Sequence, residues 1–224
     1  MPHQPLLLLA PYHGLSQSEL AQLLASIPRH RRQYCARFRR SDDVAASAAA
    51  FRLLMLGWAY YSTEPLPEVG ASATGKPLFV PENGWNFSLS HRDGWAGCVV
   101  DSDGAVGLDI HGRIPWDTEP FEAIASPSEQ ELAGALERVD DVAPLWTRKE
   151  ALGKVRGVFP RDLRALDTVL ADTGMWVRTW RAGTVPLTVS LAGEHNVASP
   201  RIVRVNLVEG SFSEFPLEDI GRWW

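Results

Sequence analysis

The chain opens on an unbroken apolar run, Leu6 to Ala10, closed by Pro11, which predicts a first strand. The period then changes to that of a helix. Ser16 with Glu19 reads as a capping box for a helix running to Ile27. Pro28 opens an arginine-rich segment. Ser41 or Asp42 is placed to cap a long alanine- and leucine-rich helix from Asp43 to Tyr60, whose broad apolar faces predict burial between other elements. Pro, Gly, Ser and Thr make residues 65 to 75 a loop. Short strands are predicted at 78–81, 86–90, 95–100 and 106–110, with turns at 92–94 and 101–104. Helices are predicted at 120–125, 128–136 and 142–155, the second opened by a capping box of Ser128 with Glu131. Strands follow at 168–170, 176–180, 186–191 and 202–208. The tail from Glu209 reads as irregular, with aromatic side chains docking on the body. The order strand, helices, strands occurs before residue 104 and again after it, so pattern alone gives an α+β fold with antiparallel hairpins.

With 224 residues the chain suffices for one large domain or two of about half that size. An apolar share of 45% and a charged share of 22% are those of a soluble globular protein. Leu6 to Ala10 is too short for a signal core and lacks a basic flank, and no stretch reads as a membrane span. Cys35 and Cys98 have no metal-type spacing, and as buried thiols they suggest a reducing compartment, so a cytoplasmic location is expected. Charge is uneven. Residues 29 to 40 hold six arginines and no acid, so the rest of the chain carries −11 for the whole to be −5. Such a run is either a solvated helix face or an anion site, since arginine forks grip phosphate. Nucleic acid is not an expected partner, because neither an aromatic platform nor global positive charge accompanies the run.

The candidate chemistry lies in the stretch Trp146-Thr-Arg-Lys-Glu-Ala-Leu-Gly-Lys154. On a helix, Trp146, Lys149, Glu150, Gly153 and Lys154 share one face. Leu145, Ala151, Leu152 and Val155 form an apolar stripe opposite, interrupted by Arg148, whose head is expected to reach outward. Glu150 and Lys154 stand at i,i+4. They are either a surface ion pair or a carboxylate for a hard cation with an ammonium for phosphate. Asp109, at the end of the strand 106–110, either caps a turn before Gly112 or projects into a cleft as the second carboxylate. Two carboxylates with substrate phosphates and water are a usual holder of Mg²⁺.

Four pieces stand in order: Gly75-Lys76-Pro77, Asn86-Phe87-Ser88-Leu89-Ser90-His91, Val106-Gly107-Leu108-Asp109, and Trp146-x-x-Lys149-Glu150-Ala151-x-x-Lys154. In order and spacing they resemble the signature of the Sfp-type 4′-phosphopantetheinyl transferases, closely over residues 75 to 157 and weakly beyond 160. The resemblance implies two similar α+β halves, 1–104 and 105–224, related by a pseudo-twofold axis. Each would be a small antiparallel sheet packed with helices, with the site between them in a monomer. It implies Mg²⁺-dependent transfer of 4′-phosphopantetheine from coenzyme A to a serine of an acyl or peptidyl carrier protein, releasing adenosine 3′,5′-bisphosphate. Asp109 and Glu150 would hold the metal, Mn²⁺ being expected to substitute. Glu150 would also serve as base, and Lys154 would act on the transferring phosphoryl group. Lys76 and Pro77, with Ser90 and His91, match positions that hold coenzyme A. Asn86 and Ser88 match structural positions.

Two departures stand out. His111 occupies a position where many bacterial relatives carry a glutamate. Asp43 is followed by Val44, Ala45 and Ala46, without the helix arginine expected to face the 3′-phosphate of coenzyme A, a contact that the nearby arginines, above all Arg31, Arg32, Arg37 and Arg40, could supply. A non-catalytic coenzyme A or carrier-protein binding module is the alternative, and a Mg²⁺-dependent phosphohydrolase a more distant one.

Overall fold

A computed structural model describes residues 4–115, 121–134, 141–157, 163–168, 175–194 and 199–220. The apolar opening run becomes β1 (Leu6–Pro11), with Leu6 to Ala10 all fully buried. It lies between two partners in a five-stranded sheet. One is β5 (Trp95–Asp101), antiparallel; the other is β9 (Arg201–Val205), parallel. β4 (Asn86–Arg92) and β10 (Phe212–Glu214) form the edges. A second, four-stranded sheet runs in the order β11 (Leu217–Asp219), β7 (Trp176–Ala182), β8 (Thr188–Gly193), β6 (Val106–His111). A small hairpin joins β2 (Glu68–Ala71) to β3 (Pro77–Val80). The class is therefore α+β, as the pattern predicts. The tail differs from expectation. Its strands β10 and β11 close an edge of each large sheet, and Phe215 between them stacks on Trp95 at 5.4 Å.

The helices differ from the expected elements at their ends. α1 (Gln17–Ala25) carries the Ser16–Glu19 capping box, with both reciprocal bonds formed. The arginine segment is itself helical, as α2 (Arg29–Cys35). α3 (Ser41–Tyr61) starts earlier than predicted, and its cap is Arg40 without a side-chain bond, so neither Ser41 nor Asp42 caps it. Among the described residues α3 is long and apolar enough, by length and composition only, to cross a membrane, which corrects the expectation that nothing approaches a span. Here it packs on β5, β4 and β1, burying Ala48, Ala49, Phe51, Leu53, Leu54 and Trp58. After α4 (Phe121–Ile124), α5 (Pro127–Gly134) is capped two residues before the predicted box. Ser126 Oγ accepts from the Glu129 amide, and Glu129 Oε2 accepts from the Ser126 amide at 2.7 Å. Of the expected strand 168–170, Thr168 lies in a bend and the rest falls outside the described residues.

α6 (Ala143–Arg156) holds the Trp146–Lys154 stretch and lies across β6, β8 and β7. Its approach to β6 is unusually close. A Cβ placed on Gly107 would stand 2.0 Å from the Ala151 carbonyl oxygen and 2.9 Å from the Val155 nitrogen. The glycine of Val106-Gly107-Leu108-Asp109 is thus a packing requirement, since only a hydrogen fits between two backbones. The helix ends on Gly157, in the left-handed region at φ 65°. Arg148 does not reach outward. It is buried, with Nη1 donating to Thr179 Oγ1 at 3.2 Å. Lys149 is also in the core. Its ammonium meets Glu129 Oε2 at 2.7 Å with both side chains fully buried, and donates to the Leu163 and Leu166 carbonyls. A helix wrapped this way tolerates buried Arg148 and Lys149 because each head group finds a partner on another element.

Gly107→Ala should therefore be among the most damaging single-atom additions to this chain. We expect a loss of about 3 kcal/mol or more, read as a drop in thermal midpoint. A Gly107→Ala protein melting within a degree of the parent would show that β6 and α6 can separate freely.

Candidate functional site

The two sheets meet where β4 lies against β6, and hydroxyl groups make the joint. Ser88 Oγ accepts from the Leu108 amide at 2.9 Å, and Ser90 Oγ accepts from the Ile110 amide at 3.3 Å. Both serines are buried, at alternate positions of β4 and so on one face of it. Ser90 also donates to Asp109 Oδ1 at 2.9 Å. Ser88 has a structural part here, joining the two sheets. Asn86 makes only a long 3.5 Å contact to the Gly84 carbonyl.

Above this joint is a cleft of about 480 Å³, lined from both sides. α2, α3 and β4 supply Arg31, Ser47, Ser90 and His91; β6 and α6 supply Asp109, His111, Trp146, Glu150 and Lys154. Pro77 reaches the wall as well. Lys76 does not: its ammonium donates to the Val106 carbonyl at 3.3 Å, and its side chain lines a separate cavity beside β3. Burial pushes the Lys76 pKa down, with Glu194 opposing. Arg32 is exposed and does not line the cleft. The structure thus assembles most of the candidate site residues and leaves these two outside.

Lys154 Nζ donates to Asp109 Oδ1 at 2.7 Å and to the Leu108 carbonyl at 2.8 Å. Asp109 is thereby held from both sheets, by Ser90 and by Lys154. Glu150 has no such support. Among the described residues no hydrogen bond or ion pair holds its carboxylate. Its pKa is raised, first by burial and then by the neighbouring Asp109, with Lys154 opposing. His91 stands at the mouth, touching water with protein packed behind it. This partial desolvation and then the Lys154 ammonium push its pKa down, while Asp43 opposes.

These carboxylates suit a hard divalent cation. Two come from different elements onto one cleft, and the charge of Glu150 is only partly opposed by Lys154, so a cation would relieve both its burial and its repulsion from Asp109. Among the described residues no third His, Cys, Asp or Glu completes a cluster, which leaves the remaining positions to substrate oxygen and water. His111 is engaged elsewhere, its Nδ1 at 3.2 Å from both Asp93 Oδ2 and the Gly112 carbonyl. Asp93 also accepts from the Gly112 amide at 2.8 Å. Sequence reading took Asp93 for a turn residue only. Its φ of 49°, in the left-handed region, is the conformation Asp-Gly turns favour, and nothing in the sequence pairs it with residue 111.

Arg31 is the buried member of the arginine run. Nη2 donates to Ser47 Oγ at 2.9 Å on α3, and the guanidinium lies 4.3 Å from the centre of the Tyr34 ring. Nε is buried without a hydrogen-bond partner, and burial lowers the pKa. The group is a partly desolvated cation facing the cleft from beside the helix that lacks its arginine.

Comparison with known proteins gives the following. No protein-family model matches the chain. It is 30% identical to the 4′-phosphopantetheinyl transferase AcpT of Escherichia coli K12 over 113 residues, covering 48% of this chain and 58% of that protein. It is 33% identical to the AcpT of Salmonella typhimurium over 118 residues, 47% and 58% of the two chains. It is 27% identical to the 4′-phosphopantetheinyl transferase of Bacillus subtilis over 148 residues, 64% and 66% of the two chains. The chain thus spans less than two thirds of the length of each of these relatives.

The unsupported Glu150 carboxylate gives a test independent of turnover. Its folded pKa lies above its unfolded one, so it costs stability above the folded value, where it is charged, and nothing below the unfolded value, where it is neutral in both states. Glu150→Gln should raise the thermal midpoint by about 2 °C at pH 8, with the gain vanishing at pH 4. Added Mg²⁺ should raise the midpoint of the parent and leave that of Glu150→Gln unmoved. A metal shift of equal size in both proteins would remove Glu150 from the cation site.

Proposed function

Since the chain belongs to the 4′-phosphopantetheinyl transferase family, we propose that it transfers 4′-phosphopantetheine from coenzyme A to a serine of an acyl or peptidyl carrier protein. The carrying observation is the placement of Asp109, Glu150 and Lys154, brought from a strand and a helix onto one cleft. In this reading the serine oxygen attacks the phosphorus that bears pantetheine. The pyrophosphate P–O bond breaks, and adenosine 3′,5′-bisphosphate leaves. Glu150 takes the serine proton, directly or through a water, a role its raised pKa favours. Lys154 balances the charge that builds on the transferring group. Asp109 and Glu150 would hold Mg²⁺, with Mn²⁺ as substitute, and the ion would supply charge neutralisation at the pyrophosphate. Arg31 would meet the 3′-phosphate, which its unpartnered Nε and its place beside α3 support. His91, Ser90 and Pro77 would form the coenzyme wall. For Lys76 and Arg32 the same role would require movement into the cleft.

The reading extends to architecture. The cleft would lie between two halves, 1–104 and 105–224, related by a pseudo-twofold axis, each with one long helix across its sheet. What supports this is that α3 and α6 each cover the strands of one sheet. Strands β9 and β10, although late in the chain, complete the first sheet, so the second half would lend two strands to the first. A cytoplasmic monomer acting without membrane or nucleic acid is the accompanying proposal.

The direct test is mass. Apo carrier, coenzyme A and Mg²⁺ should yield carrier heavier by one phosphopantetheine. Asp109→Ala and Glu150→Gln should each lower the rate by about a hundredfold or more, with circular dichroism unchanged. A Glu150→Gln protein with near-normal turnover would refute its role as base.

Lys154→Ala should reduce kcat more than it raises the KM for coenzyme A, because the ammonium acts on charge that grows in the transition state. A change confined to KM would make Lys154 a ground-state binder.

A further inference from the structure

Only one of the six arginines between 29 and 40 is used by the cleft. Arg29, Arg32, Arg37, Arg39 and Arg40 are exposed, and among the described residues no carboxylate pairs with any of them. Two aromatic rings lie in their midst. Tyr34 is 42% exposed and Phe38 38%, and they meet edge to face at 5.6 Å. Single exposed apolar residues are ordinary. Here two contiguous rings sit among arginines, and aromatic residues with arginine are what interface centres concentrate. The patch also adjoins the cleft: the Arg31 guanidinium lies over the Tyr34 ring on one side and lines the cleft on the other. The surface turns acidic at once beyond it, at exposed Asp42 and Asp43, so the positive field is local.

We propose that the outer face of α2 and the turn after it, centred on Tyr34 and Phe38, is the surface on which the carrier protein docks, through an acidic face bearing an apolar side chain near its acceptor serine. The proposal rests on the reading given under Proposed function and names the partner's landing site. The argument is charge complementarity and place. A chain that is −11 outside this segment would repel an acidic partner almost everywhere else. A partner whose serine must reach the phosphorus has to land on the cleft rim, and α2 forms part of that rim.

The test measures binding without chemistry. Fluorescently labelled apo acyl and peptidyl carriers with the acceptor serine changed to alanine are titrated with the full chain at low salt. Transfer to the unmodified carriers is followed separately by mass. The double variant Phe38→Ser/Arg39→Glu removes one ring and reverses one charge at exposed positions outside the cleft. It should weaken carrier binding about tenfold and leave the KM for coenzyme A within twofold. Arg39→Glu alone should weaken it less, and Arg204→Glu, the same charge change on β9, should leave it within twofold. In the parent, raising salt should weaken carrier binding, and in the double variant by a smaller factor. Equal binding by parent and double variant would overturn the proposal, as would equal loss in Arg204→Glu. So would a parent that binds no carrier, or a face whose substitution dissolves a dimer instead. Transfer observed with the patch variants indistinguishable from the parent sinks the docking surface alone; absence of transfer with carrier binding lost in the double variant sinks the catalytic reading alone.

Discussion

The Asp109 carboxylate sits where two sheets and a helix converge, and its charge holds the arrangement in register. Ser90 reaches it from β4 and Lys154 from α6, while its own strand fixes its backbone. Bonds between a charged and a neutral group, or between two charges, are the strong ones in a partly buried setting. Removing any partner leaves another with an unsatisfied buried group. The cleft therefore has a rigid floor, and Glu150, one turn before Lys154, inherits its position from the floor without a bond of its own.

How much of this was legible in the sequence varies by element. β1, α1 with its cap, the hairpin of β4 and β5, and α6 follow from apolar runs, capping residues and turn chemistry, which act within a few residues. The four motifs marked Asp109, Glu150, Lys154, Ser90 and His91, and the fold gathers these at one cleft. What failed depended on contacts made far along the chain. Lys149 falls off the apolar stripe by helical period, and Arg148 interrupts that stripe with a head expected to reach outward, yet each meets a partner on another element that permits burial. The tail reads as irregular because three-residue strands carry no period; they exist only because sheet edges receive them. Lys76 stands in a motif with its neighbour Pro77, but it lies just before β3 and its ammonium turns to the Val106 carbonyl, so that it lines only the cavity beside that strand while Pro77 lines both that cavity and the cleft.

The glycine of the strand motif shows how packing and chemistry can share one signature. Gly107 touches nothing that reacts. It lets α6 come close enough to β6 for Lys154 to span from helix to strand, so the reach of one ammonium depends on the missing methyl of another residue. Motif residues of this kind would survive selection for activity without ever meeting substrate.

The place of β1 carries a consequence for synthesis. This strand leaves the ribosome well before one of its two neighbours, β9, which is made nearly two hundred residues later. Until then a fully apolar strand has one flank of unpaired amides and carbonyls, which is the kind of edge that recruits other chains. During translation the protein therefore passes through a long interval in which its most apolar strand is only half paired. Chaperone dependence and yield in expression should follow how fast the last quarter of the chain arrives, more than the stability of the finished fold.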